Sequence, residues 1–201
     1  MMELISYCRV LPEGISVNGA KVYAPDSTES WQKDLYTALG LNYPKFHKMD
    51  NLSKCAVLGF EAMKQEGAPF ADFGDDEIAL IFANSASSRD TDERFTESYE
   101  KIAHPSPSLF VYTLPNIVMG EMSILNKWYG ENVFFIRKTF DAAMFTEQIS
   151  IYLSKGNKAC FCGWIDHTSE GTDCFLFLVR AGAGHLSPEQ LNTYYKQYRN
   201  E

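Results

Sequence analysis

Thr139, Phe140 and Asp141 occupy a kind of position where enzymes place nucleophiles. A run of strand-forming residues, Asn132 to Ile136, passes Arg137 and Lys138. It then turns into a segment with Ala142, Phe145, Ile149 and Tyr152 at helical spacing. A strand-to-helix turn aims the free N–H groups of the first helical turn at the side chain standing there, which favours a thiolate or an oxyanion. The tip of this turn is Phe140, and a phenyl ring has no lone pair to acylate or activate. Asp141 is placed to cap the helix, as such residues commonly do. Thr139 leaves a hydroxyl as a surrogate nucleophile.

Other reactive types are scattered. Cys160 and Cys162 form C-F-C in an apparent strand, which puts both on one face. No second Cys or His pair stands at metal-ligand spacing, so they read as core thiols and no metal is expected. His167, in Asp166-His-Thr-Ser-Glu170, lies near two carboxylates in what reads as a solvated polar loop. Ser85 to Ser88 follow an apolar strand, at the kind of strand end where ligands bind in open α/β sheets. No glycine fingerprint or phosphate-type lysine accompanies them, and no cofactor is expected.

The elements that would carry these residues can be read from periodicity. Leu4 to Val10 form a strand, and Asn18-Gly19 within Ile15 to Tyr23 signals a type I′ hairpin. A helix capped by Ser27 or Thr28 carries Trp31, Leu35 and Leu39 up to Gly40. A second carries Leu52, Ala56, Phe60 and Met63 and ends before Gly67. The acidic run Asp72 to Glu77 leads into a continuously apolar strand ending at Ala83, the pattern of burial on both faces. Phe95, Tyr99 and Ile102 mark a helix, and Leu109 to Tyr112 a short strand. Thr113 and Pro115 open a helix with Val118, Met122, Leu125 and Trp128 in line. Beyond the elbow and its helix, which Gly156 ends, Lys158 to Ile165 and Thr172 to Val179 read as an antiparallel pair. Ser187-Pro-Glu-Gln190 is a capping box for a last helix bearing Leu191, Tyr194 and Tyr198. Alternation of this kind predicts an α/β fold: a mixed, mostly parallel five-stranded sheet with helices on both faces and an antiparallel last strand.

At 201 residues the chain fits a single domain over 1–201. Its net charge of −8 argues against a nucleic-acid surface. The apolar runs are far too short for a membrane-spanning helix, and the N-terminus has no signal pattern. Five scattered cysteines suit reduced thiols. The expectation is a cytoplasmic protein that binds neither nucleic acid nor membrane.

Three segments, in this order, resemble β-ketoacyl-acyl-carrier-protein synthases, members of the thiolase-like fold. They are Tyr43 to Val57 (YPKFHKMDNLSKCAV), Ser108 to Gly120 (SLFVYTLPNIVMG) and Gly130 to Met144 (GENVFFIRKTFDAAM). The resemblance covers residues from about 40 to 180 and implies the N-terminal half of that fold. It places Phe140 where the acyl-accepting cysteine of the family stands. It also implies that the family's C-terminal half, with its two catalytic histidines, would begin where this chain ends. His47, His104, His167 and His185 match no such motif. The resemblance further implies a two-fold interface, with Asn116, Met119 and Met122 on one helix and Val133, Phe134 and Phe135 on an edge strand as candidate contacts.

The expected function is therefore that of a non-catalytic ketosynthase-like subunit, a pseudoenzyme of bacterial fatty-acid-like, polyketide or polyene acyl chain synthesis. It would pair, as a homo- or heterodimer, with a full-length ketosynthase or dock an acyl carrier protein, as chain-length-factor subunits lacking the cysteine do. The alternatives are a small acyltransferase or hydrolase using Thr139 or Cys160, or an acyl-binding protein.

Overall fold

The structure is a computed structural model that describes residues 1–197 apart from residues 28, 102 and 103. Thr28, Ile102 and Tyr198, named above as a cap or as helix positions, lie outside the described residues.

The chain opens with β1 (Met2–Leu11), β2 (Gly14–Val17) and β3 (Ala20–Tyr23). Asn18 and Gly19 turn the hairpin with φ of 48° and 93°, the positive values that a type I′ turn requires. Helices α1 (Trp31–Ala38) and α2 (Asn51–Gln65) follow, then β4 (Ile78–Asn84), α3 (Arg89–Glu100), α4 (Pro107–Val111) and α5 (Ile117–Asn126). The chain continues with β5 (Asn132–Ile136), α6 (Ala142–Ser154), β6 (Ala159–Thr168), β7 (Gly171–Ala181) and α7 (Pro188–Lys196).

The strands form one seven-stranded sheet in the order β3-β2-β1-β7-β6-β4-β5. This corrects the expectation of five mostly parallel strands. Parallel pairing is confined to β4 with its neighbours β5 and β6; β1 with β2 and β7, β2 with β3, and β6 with β7 are antiparallel. The extra strands enter because β1 runs along β7 from Met2↔Ala181 to Val10↔Cys174. The centres of both strands are buried, which removes their backbone N–H and C=O groups from water, so each needs a hydrogen-bonded neighbour along both edges.

Two other expectations are corrected. Leu109 to Val111 belong to helix α4 and Tyr112 is its C-cap, with Ser106 Oγ accepting the Leu109 N–H and Pro107 in the first turn. A four-residue apolar run suits either state, and here the Ser-Pro cap decided it. Thr113 does not cap α5: its hydroxyl donates to Phe110 O, closing α4, and Asn116 takes the cap position.

Alternate residues of β4 feed two cores. Leu80 and Phe82 pack beneath α1, α2 and α5, and Ala79, Ile81 and Ala83 beneath α6 and α7. Helix α2, capped by Asp50 accepting the Ser53 N–H at 3.1 Å, presses so closely on the sheet that a Cβ at Gly59 would meet Leu176 at 2.5 Å and Val10 at 2.9 Å. Trp128 sits past the end of α5, where Lys127 adopts φ 57°, and joins Phe60, Phe70 and Phe161 in one aromatic cluster. The route from β4 to β5 crosses the α2 face by way of α5, and the route from β5 to β6 crosses the opposite face by way of α6. At the carboxyl ends of β4 and β5 the chain thus leaves for opposite sides, and a crevice opens there.

Candidate functional site: the crevice at the β4 and β5 ends

The crevice encloses about 1000 Å³. Its walls come from the loop after β4, the turn after β5, the far ends of β6 and β7, and α7. Two of its positions are taken by side chains of the protein itself, Phe140 at the turn after β5 and Asp166 against the loop after β4.

The elbow forms as the sequence predicts. Arg137 N–H donates to Asn84 O at 2.8 Å, which carries the β4 pairing one residue beyond β5. Asp141 Oδ1 then accepts the Met144 N–H at 3.0 Å, so its carboxylate caps α6. Thr139 is exposed on the rim. Phe140 turns inward and is half-buried. Its ring stacks on Tyr195 (centroids 4.0 Å apart, planes 16° off parallel) and on Phe145 (5.5 Å), and meets Trp164 and Phe175 edge-on. Beneath these rings Asp173 pairs with Arg9 at 2.9 Å and accepts the Trp164 indole N–H and the Tyr195 hydroxyl. Arg9 is 2% exposed, and its guanidinium lies over the Tyr195 ring at 5.0 Å, a cation–π contact in a dry site.

The anion seat is the loop after β4. Asp166, on β6, accepts the N–H groups of Ser85 and Ala86 at 3.1 Å and the Ser85 hydroxyl at 2.7 Å. The Ser85–Ser88 loop singled out in the sequence is therefore a nest for a carboxylate that the chain supplies. No local pattern marks this pairing, because Asp166 reads as part of a solvated loop.

The remaining candidates lie elsewhere. Cys160 and Cys162 are fully buried under α6; burial pushes the Cys160 thiol up to about 12 and raises Cys162 as well, so neither is a thiolate at neutral pH. This removes Cys160 as a nucleophile. His167 is a strand residue, not a loop residue. It sits on the other face from Asp166, its Nδ1 2.8 Å from the Thr172 hydroxyl, and burial holds its pKa below the usual imidazole value. Among the described residues no group of three or more His, Cys, Asp or Glu could hold a metal ion. No helix among them is long and apolar enough to cross a membrane.

The interface candidates divide. β5 is an edge strand, with Val133 and Phe135 half-buried against the α6 side and Phe134 against the other. Asn116 is exposed, but Met119 and Met122 are 2% and 0% exposed and point into the core. Large apolar side chains that do reach solvent here are Phe110, Leu114, Ile124, Tyr129 and Ile136.

No family model matches the chain, and no curated protein matches it by sequence. Similarity is found among solved structures. All of this chain superimposes on 92% of a chain from a ketosynthase in complex with its chain length factor from Xenorhabdus doucetiae, with a TM-score of 0.63 at 13% identity. The ishigamide ketosynthase/chain length factor gives a TM-score of 0.59 at 13% identity, over 92% of this chain and 63% of that one. A type II PKS acyl-carrier protein in complex with its ketosynthase bound to the hexaketide gives 0.60 at 13%, over 89% and 62%. The chain thus spans less than two thirds of the length of the latter two. What these likenesses establish is the fold: a mixed α/β sheet with helices on both faces, of the thiolase-like kind found in ketosynthase and chain-length-factor assemblies.

Proposed function

We propose that the chain, as one unit over 1–201, is a ketosynthase-like subunit that performs no condensation itself and acts in the cytoplasm by pairing with a complete ketosynthase. Its setting would be fatty-acid-like or polyketide chain synthesis, where acyl groups travel on a carrier protein. The observation that carries the reading is Phe140: the elbow keeps its strand, turn and capped helix, while its tip holds a ring packed among four others. Cys160 is buried and Asp141 is engaged as a cap, which leaves the exposed Thr139 hydroxyl as the one candidate of the alternative, enzymatic reading.

Pairing is supported by the open edge of β5, whose last residue, Ile136, is exposed. An unprotected apolar edge invites another chain. It is also supported by the Xenorhabdus doucetiae complex, in which a chain of nearly this length is matched almost end to end. We assign Asn116, Val133, Phe134 and Phe135 to the interface and expect a heterodimer.

Co-expression with a ketosynthase encoded beside this gene tests the reading. A one-to-one complex by light scattering, with condensation dependent on both chains, is the expected result. A strict monomer that leaves the ketosynthase's activity unchanged would sink it.

A further inference from the structure

Phe140 does not fill the elbow alone. Tyr195, 5% exposed on the inner side of α7, lies face to face on its ring, and it is held from several sides. Its hydroxyl reaches Asp173, its ring lies under the Arg9 guanidinium, and Asp173 is itself tied to Arg9 and Trp164. Helix α7 is pre-organised by the Ser187–Gln190 capping box and anchored by the fully buried Leu191. The second ring therefore comes from outside the β5–α6 unit.

We propose that Phe140 and Tyr195 form a two-ring plug, in which α7 closes an apolar pocket at the elbow that would otherwise take an alkyl or acyl chain. This rests on reading Phe140 as the occupant of the nucleophile's place and extends it to the last helix. The walls are Phe145, Trp164 and Phe175, and the polar group at the base, Asp173, is already bonded to Arg9, Trp164 and Tyr195. The aromatic walls suit a neutral apolar chain, and the charges at the base, Arg9 and Asp173, neutralise one another. Removing the Phe140 ring alone leaves Tyr195 fastened over the gap. Removing both rings opens a cavity walled by Phe145, Trp164 and Phe175, with the Arg9–Asp173 pair at its base.

Alkylation rates test this, with iodoacetamide and its N-octyl derivative as probes on Phe140→Cys. The thiol displaces iodide and loses its proton to solvent, in the same chemistry for both reagents. The five native cysteines are buried, so their silence is both a low background and a check on the fold. In Phe140→Cys the octyl reagent should gain nothing over iodoacetamide. Adding Tyr195→Ala should raise the octyl-to-parent rate ratio about ten-fold as the chain finds the pocket. Adding Tyr195→Phe, which keeps the ring, should leave the ratio low.

A raised ratio in Phe140→Cys alone, or no rise with Tyr195→Ala while the native thiols stay silent, overturns the proposal. Should the alanine variant expose native thiols, Tyr195→Leu is read by the same criteria. Neither result touches partner binding. A plug that behaves as stated in a protein that captures no ketosynthase would bring down the functional reading and leave the plug standing.

Discussion

The Asp166 carboxylate sits on the backbone N–H and the hydroxyl of Ser85, 81 positions away, and fastens the end of β6 to the loop that leads into α3. Charge-assisted bonds of this kind are stronger than neutral ones. Asp166→Ala should lower stability by about 1–2 kcal/mol in urea unfolding, with part of the loss to solvent discounted. Asp166→Asn should cost less, since its carbonyl can still accept. A loss for alanine indistinguishable from that at an exposed control site would show that the seat contributes nothing.

His167 makes stability depend on pH. Burial lowers its pKa first, and Lys54 on α2 and Arg94 on α3 push the same way against Asp90 on α3. The folded state therefore binds a proton less readily than the unfolded chain. The stability associated with neutral His167 is complete above the unfolded value, near about 6.5, and is lost as pH falls through and below it. His167→Gln can keep a bond to Thr172 and should flatten the fall in Tm between neutral and mildly acidic pH. Parallel profiles for the two proteins would rule out this group as the cause.

The thiols should be silent. Cys8, Cys55, Cys160, Cys162 and Cys174 are all buried, and burial raises the Cys160 thiol to about 12. A colorimetric disulfide reagent should titrate none of them in the native protein and all five after unfolding. Cys160→Ala should leave any acyl-transfer background unchanged. A fast-reacting native thiol would reopen the enzyme reading.

Core and interface can be separated on neighbouring elements. Met122 is fully buried, and Met122→Ala should destabilise the chain by about 2–4 kcal/mol while the folded fraction still binds its partner. Ile136, 53% exposed at the end of β5, should behave in the opposite way. Ile136→Glu should leave the urea midpoint within about 0.5 kcal/mol of wild type and abolish co-purification with a ketosynthase. Undiminished co-purification of Ile136→Glu would place the interface elsewhere.

The features legible in the amino-acid order are local ones. The Asn18-Gly19 turn, the Ser187–Gln190 capping box, the Asp141 cap on α6 and the apolar stripe of α2 follow from backbone preferences and from contacts one helical turn or one strand residue apart. Those interactions are written in neighbouring letters, so the elbow and the ring at its tip could be read from them. The tertiary structure decided whatever joins distant segments. It set β1 against β7, which makes the sheet seven strands wide. It also turned Met119 inward, brought Asp166 to Ser85 and laid Tyr195 on Phe140. Such contacts form only when packing of the whole chain fixes which surfaces meet, and a side chain's local pattern carries no record of a partner on a remote element.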